Sequence, residues 1–152
     1  SDSLPGIVVN ADDAKIKGFE LQATYRANAA NRVVMGYAYT DIASANLRER
    51  YTTSAPSNSA SAMVMHDFTP RTQGSLMYYY ADGMRFLDAQ AIERMQRVDL
   101  RLAQTFGSLR REAKLALVVQ NLFHPYDEYY PRTEYANAFD RRVYLSLSLN
   151  IF

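Results

Sequence analysis

Cysteine and tryptophan are both missing from the 152 residues. Without cysteine there is no disulfide framework, no cysteine-ligated zinc and no thiol nucleophile. Glycine occurs six times, scattered, so no glycine-rich phosphate loop can be assembled, and no serine lies in a nucleophile elbow. No apolar run approaches the ~18 residues that read as a membrane helix, which removes a bundle of membrane helices. Neither sign of charge is in excess, since 17 Lys and Arg face 16 Asp and Glu for a net charge of +1. Such a balance disfavours nucleic acid as a partner. The opening Ser1-Asp2-Ser3-Leu4-Pro5-Gly6 lacks the basic and apolar regions of a signal peptide. The expectation is therefore that the protein is not exported, or that its true start lies upstream.

What the chain does have is tyrosine (12), phenylalanine (7) and a 48% hydrophobic content, too apolar for a disordered polymer. These residues alternate with polar ones at the two-residue period of a strand. In residues 97–106, Arg97, Asp99, Arg101, Ala103 and Thr105 share one face, and Val98, Leu100, Leu102, Gln104 and Phe106 the other. The charged face is expected to meet water. Residues 142–152 set Arg142, Tyr144, Ser146, Ser148 and Asn150 against a wholly aliphatic row. Similar stretches cover residues 18–27, 31–41, 61–68, 74–82 and 114–123, and residues 6–10 resemble the end of another, making about eight strands.

The connections alternate in length. Residues 28–31, 69–72 and 107–111 are turn-sized and hold Asn, Pro, Gly and Ser, whereas 42–60, 83–94 and 124–140 run to about a dozen residues or more. If successive strands pair antiparallel, every short turn falls at one end of the sheet and every long loop at the other. Helical spacing competes only at residues 84–97, where Phe86, Leu87, Ala91 and Met95 admit a short loop helix.

Two architectures use such strands: a soluble sandwich that buries its apolar face, and a membrane barrel that turns it to lipid. Barrel strands need ~9–11 residues while soluble strands cluster near ~5–6, and at least five stretches here reach about ten. The row Arg97, Asp99, Arg101 suits a water-filled or plugged lumen, and Tyr37, Tyr39, Tyr78, Tyr79 and Tyr80 suit an interfacial aromatic girdle. A complete eight-stranded structural or adhesin-type barrel and a soluble β-sandwich binding module are the alternatives. The short stretch 6–10 is a poor closing partner for 142–152, which counts against the small barrel.

The order of motifs adds a resemblance. Asn10-Ala11-Asp12-Asp13-Ala14-Lys15-Ile16-Lys17-Gly18-Phe19-Glu20-Leu21 precedes a tight turn. Gly36-Tyr37-Ala38-Tyr39-Thr40-Asp41 follows, then a loop ending Ala55-Pro56-Ser57-Asn58, then Val119-Gln120-Asn121-Leu122-Phe123 with Tyr126, and a last aliphatic strand ending in Phe152. Together these resemble the C-terminal barrel region of a TonB-dependent outer-membrane receptor. Phe152 departs from that pattern by falling in the polar row, a phase that a bulge near Asn150 would restore.

The resemblance implies an all-β, antiparallel up-and-down transmembrane barrel, of which residues 1–152 supply about eight strands of a 22-stranded type. Short periplasmic turns, long extracellular loops and a plug domain outside this chain go with it. It also implies a receptor, not an enzyme, in the Gram-negative outer membrane. Such a receptor takes up a scarce nutrient such as a ferric siderophore, contacts lipid and lipopolysaccharide, and is driven by the TonB complex through an N-terminal part. If the long loops are extracellular, Arg48, Arg50, Tyr51, Arg85, Tyr129, Tyr130, Arg132 and Tyr135 become candidates to hold an anionic, partly aromatic ligand by charge-assisted hydrogen bonds and stacking. Glu20, Arg26, Arg97, Asp99, Arg101 and Lys114 are expected to face the lumen, pairing with one another or with the plug. No cofactor and no metal is expected. His66 and His124 read as strand and loop histidines, and Asp12-Asp13 and Asp127-Glu128 offer too few ligands for calcium.

Overall fold

In the computed structural model, residues 14–44, 49–85, 91–108, 111–123, 126–127 and 138–151 are described. The strands are β1 (Ala14–Arg26), β2 (Asn31–Ser44), β3 (Asn58–Thr69), β4 (Thr72–Ala81), β5 (Met95–Ser108), β6 (Arg111–Gln120), β7 (Tyr126–Asp127), β8 (Ala138–Phe139) and β9 (Arg142–Ile151). Seven of them, each 10 to 14 residues long, form one antiparallel up-and-down sheet in the order β1-β2-β3-β4-β5-β6-β9. Neighbours in sequence are neighbours in space, and β7 and β8 pair as a small ribbon within the last long connection. The expected strand at 6–10 lies outside the described residues.

Turn chemistry accounts for the tight end. Asn28 Oδ1 accepts from the backbone N–H groups of Ala30 and Asn31, both at 2.9 Å, and so closes the β1–β2 turn. Pro70 follows Thr69, whose hydroxyl accepts from the Arg71 N–H at 3.1 Å in the β3–β4 turn. Gly107, at φ +96°, lets β5 reverse into β6. The three long connections all leave from the opposite end, as the alternation of lengths predicts. One of them holds a helical turn, α1 (Glu49–Thr52). The helix admitted at 84–97 is not found among the described residues, where Met84 bridges Ile92 in antiparallel fashion and Met95–Arg97 open β5.

Directly paired residues share a side of the sheet, so the register assigns two faces. One carries Glu20, Gln22 and Arg26 of β1, Arg97, Asp99 and Arg101 of β5, Lys114 of β6 and Ser146 and Ser148 of β9. The other carries Phe19, Leu21, Met35, Val64, Leu76, Leu100, Leu102, Leu115, Leu117, Leu145 and Leu147. Among the described residues every exposed large hydrophobic one except Ile16, Phe123 and Tyr144 stands on this second face. The buried strand residues, Met65, Ser75, Asp99, Ala103 and Ala116, all lie on the first.

Burial thus runs opposite to that of a soluble domain. The buried strand positions lie on the polar face, while Leu145 and Leu147 on the apolar face are 67% and 63% exposed. The accessible surface of 11926 Å² compares with roughly 7,800 Å² for a compact monomer of 17.3 kDa. A sandwich would cover the apolar face with a second sheet, and among the described residues none does.

Aromatic side chains mark both borders of the apolar face. Phe19, Tyr37, Tyr39, Tyr78 and Tyr80 lie toward the long loops, and Tyr25, Phe68 and Phe106 toward the tight turns. Tyr79 is a correction to the expected girdle. Its register partner is Arg97, so it stands on the polar face.

Candidate functional site: the loop end and the polar face

At the loop end, β3 and β4 are tied where they open into connections. Asn58 donates to Asp82 Oδ2 from its backbone N–H at 2.9 Å and from Nδ2 at 2.6 Å. The Tyr80 hydroxyl donates to Asp82 Oδ1 at 2.6 Å, and the Tyr37 hydroxyl to Asn58 Oδ1 at 2.6 Å. These bonds hold the Asp82 carboxyl below its ordinary value, the Tyr80 hydroxyl contributing most and Asn58 next. Beyond this knot the two loops meet again. The Arg85 N–H donates to the Thr53 carbonyl at 2.8 Å, and the Thr53 hydroxyl donates to the Arg85 carbonyl at 3.1 Å.

That bridge answers part of the ligand expectation. It brings Arg85 of the second long loop against Thr53, two residues from Tyr51 of the first. Arg50 belongs to α1 by its backbone. Arg48, Tyr129, Tyr130, Arg132 and Tyr135 lie outside the described residues, as does His124. The Asn58–Asp82 knot was missed by sequence reasoning, which treated both residues as ordinary loop and strand-end positions. Its trace in the sequence is an Asn and an Asp at the mouths of consecutive strands, a weak signal without the register.

On the polar face, Arg97 and Asp99 form an ion pair, with Arg97 Nε donating to Asp99 Oδ1 at 2.8 Å and Nη2 to Oδ2. The Arg97 guanidinium also lies 5.2 Å from the centre of the Tyr79 ring. Asp99 is only 6% exposed, so the expected water-facing charge is in fact covered. Its second partner explains why: the Asn121 N–H donates to Asp99 Oδ1 at 3.0 Å. Asn121 takes the left-handed conformation, φ 54°, which Asn tolerates better than most residues. The chain thereby leaves β6 while staying beside β5, where the Leu122 N–H reaches the Val98 carbonyl at 2.8 Å. The Asn121-Leu122-Phe123 motif is a strand-exit device that fixes the root of the last long connection.

Glu20, Arg26, Arg101 and Lys114 share this face, and among the described residues no ion pair joins them to each other. Arg26 instead faces Arg32 across the strands, while Arg32 Nη2 donates to Met65 Sδ at 3.2 Å. A depression of about 670 Å³ opens nearby, with Gly36, Ala38, Ser59 and Ser61 along its floor and Glu20, Gln22, Tyr79 and Met95 around it. His66, on the apolar face, contacts Asn31 Oδ1 at 2.7 Å and packs edge-on to Phe68 at 4.6 Å, as a strand histidine would. Among the described residues no group of His, Cys, Asp and Glu is arranged to hold a metal ion.

An exposed apolar face, a polar face that holds the buried positions and long loops gathered at one end are the parts of a transport barrel wall. Residues 1–122 match the family described as TonB dependent receptor-like, beta-barrel. The chain belongs to that family. Membership makes it part of an outer-membrane transport barrel, and the receptors of this family work with TonB. No curated protein and no solved structure matches the chain.

Proposed function

We propose that this TonB-dependent receptor chain supplies barrel wall and ligand-facing loops to a receptor that takes up a scarce nutrient, a ferric siderophore or a chelate of similar chemistry. The observation that carries the reading is the stitching of two long loops at Thr53 and Arg85, which builds one surface from two connections at a single end of the sheet. The long-loop residues Arg48, Arg50, Tyr51, Arg85, Tyr129, Tyr130, Arg132 and Tyr135 are the proposed source of guanidinium and phenol groups for an anionic, partly aromatic ligand. The long loops are extracellular and touch lipopolysaccharide.

Among the described residues the sheet is open, with β1 and β9 at its two edges. Open edges cannot stand in lipid, so further strands complete the wall, in keeping with residues 1–152 as the C-terminal portion of a barrel of the 22-stranded type. Glu20, Arg26, Arg97, Asp99, Arg101 and Lys114 then line the lumen and meet a plug, which carries the contact to the TonB complex. The setting is a Gram-negative outer membrane, and the role is transport rather than catalysis.

The test is uptake. Cells with and without the intact receptor are starved of iron and offered a panel of labelled ferric siderophores. Receptor-dependent, TonB-dependent accumulation of at least one supports the reading. A receptor that reaches the outer membrane yet changes uptake of none of them overturns the ferric ligand class.

A further inference from the structure

Two tyrosines of the aromatic border are tied into the roots of the long loops. Tyr37, Ala60 and Tyr80 form one row across β2, β3 and β4, and Asn58 stands on the same face opposite Tyr39. The Tyr37 hydroxyl donates to Asn58 Oδ1 and the Tyr80 hydroxyl to Asp82 Oδ1, each at 2.6 Å. A border tyrosine needs no such partner, because its hydroxyl can stay wet while its ring stays in the apolar layer.

The carboxylate fixes the direction of every bond in this network. Asp82 only accepts, so Asn58 must present Nδ2 to it, at 2.6 Å, which leaves Asn58 Oδ1 as the acceptor for Tyr37. Donation therefore runs from Tyr37 to Asn58 to Asp82, and Tyr80 closes on the same carboxylate from β4. Hydrogen bonds to an ionised acceptor are the strong ones.

Beyond the network the two connections stay in contact. Met84 and Ile92 exchange backbone bonds at 3.0 and 2.8 Å, and Arg85 meets Thr53. The Tyr51 carbonyl accepts from the Ser54 N–H at 3.2 Å and from the Ser54 hydroxyl at 2.7 Å. Tyr51 and Arg85 thus stand on backbones joined at two separate points, the Asn58–Asp82 root and the Thr53–Arg85 bridge. Two ties fix orientation as well as separation, whereas one alone is a pivot.

We propose that Tyr37 and Tyr80 are positioning residues for ligand capture: acting through Asn58 and Asp82, they set the relative pose of Tyr51 and Arg85 to which an anionic, aromatic ligand binds. This rests on the reading of the long loops as the ligand surface and adds to it two residues outside the loops. Neither tyrosine touches the ligand, so their loss weakens capture and leaves the transport step alone.

The intact receptor in outer-membrane vesicles is titrated with iron(III) tris-catecholate, an anionic aromatic chelate, and whole cells are assayed for TonB-dependent uptake of the same complex. Tyr37→Phe/Tyr80→Phe keeps both rings, and is expected to weaken binding about tenfold with the saturated uptake rate unchanged. Each single Phe variant should weaken it about threefold. Asn58→Asp sets two carboxylates against each other and should weaken binding at least as much as the double Phe variant. Adding Asp82→Asn to it gives the pair one donor and one acceptor again and should recover most of the lost affinity. Wild-type affinity in any folded Phe variant overturns the proposal. So does a loss that falls on the saturated rate rather than on affinity, or a swap no better than Asn58→Asp alone. A wild-type receptor that neither binds nor accumulates the chelate overturns instead the ligand reading beneath it.

Discussion

Asn58 and Asp82 hold each other in both directions. Asn58 gives the Asp82 carboxylate two N–H donors, and the Asp82 N–H returns a bond to the Asn58 carbonyl at 2.9 Å. One residue ends the first described long loop and the other begins the second, so the pair is the common root of both. Asp82→Ala is therefore expected to speed hydrogen exchange at Arg85 as well as at Asn58 and Thr40, whose N–H reaches the Ser57 carbonyl. Loss of protection on one side alone would separate the loops.

The same carboxylate sets a pH limit. Asp82 titrates below its ordinary value of 3.8, so its contribution is complete above that value and is lost as pH falls through the lower folded value. Loop-root protection, corrected for intrinsic exchange, should be flat from pH 8 to 5 and decline only in stronger acid. A decline centred near pH 6 would assign the link to another group.

Outward and inward positions should answer oppositely to charge. Leu102→Arg or Leu117→Arg on the apolar face is expected to cost about 2–4 kcal/mol and to block the heat-modifiable folded form on gels. Gln22→Arg on the polar face should fold normally. Equal tolerance of all three would reverse the assignment of faces.

Asp99→Ala removes a covered acid from beside Arg97 and from the Asn121 N–H, at an expected cost of roughly 3 kcal/mol in denaturant titrations of the detergent-solubilised receptor. Asp99→Asn keeps an acceptor for Asn121 and should lose less.

Gly107→Ala should be costly where Gly36→Ala is not. A methyl at Gly107 would lie 2.1 Å from the Arg111 carbonyl oxygen on a φ of +96°, whereas one at Gly36 meets the movable Ser61 hydroxyl at 2.9 Å. The expected penalty at Gly107 is about 1–3 kcal/mol, read from the unfolding midpoint.

Most of the wall could be read from the chain because it is written in a period of two. The alternation at 97–106 lies within β5 and that at 142–151 makes β9, Phe152 lying outside the described residues, and the Asn, Pro and Gly turns close where turn chemistry requires. Alternation and loop lengths also settled which end carries the long loops. Three things needed the structure. Tyr79 sits among tyrosines yet belongs to the other face, which only register with Arg97 reveals. Asp99 looks like a wetted charge until the Asn121 N–H is seen to bond it. The Asn58–Asp82 root joins residues 24 apart, beyond the reach of any local pattern.

The placement of Met65, Ala103 and Ala116 on the polar face has a consequence for assembly. In water, collapse would drive the leucines of β5, β6 and β9 inward and build the sheet inside out. The native arrangement becomes the favoured one only once hydrocarbon replaces water on that side. Between synthesis and insertion the chain must be kept from collapsing, and any factor that escorts it has to mask the rows from Leu100 to Leu147 and release them at the bilayer.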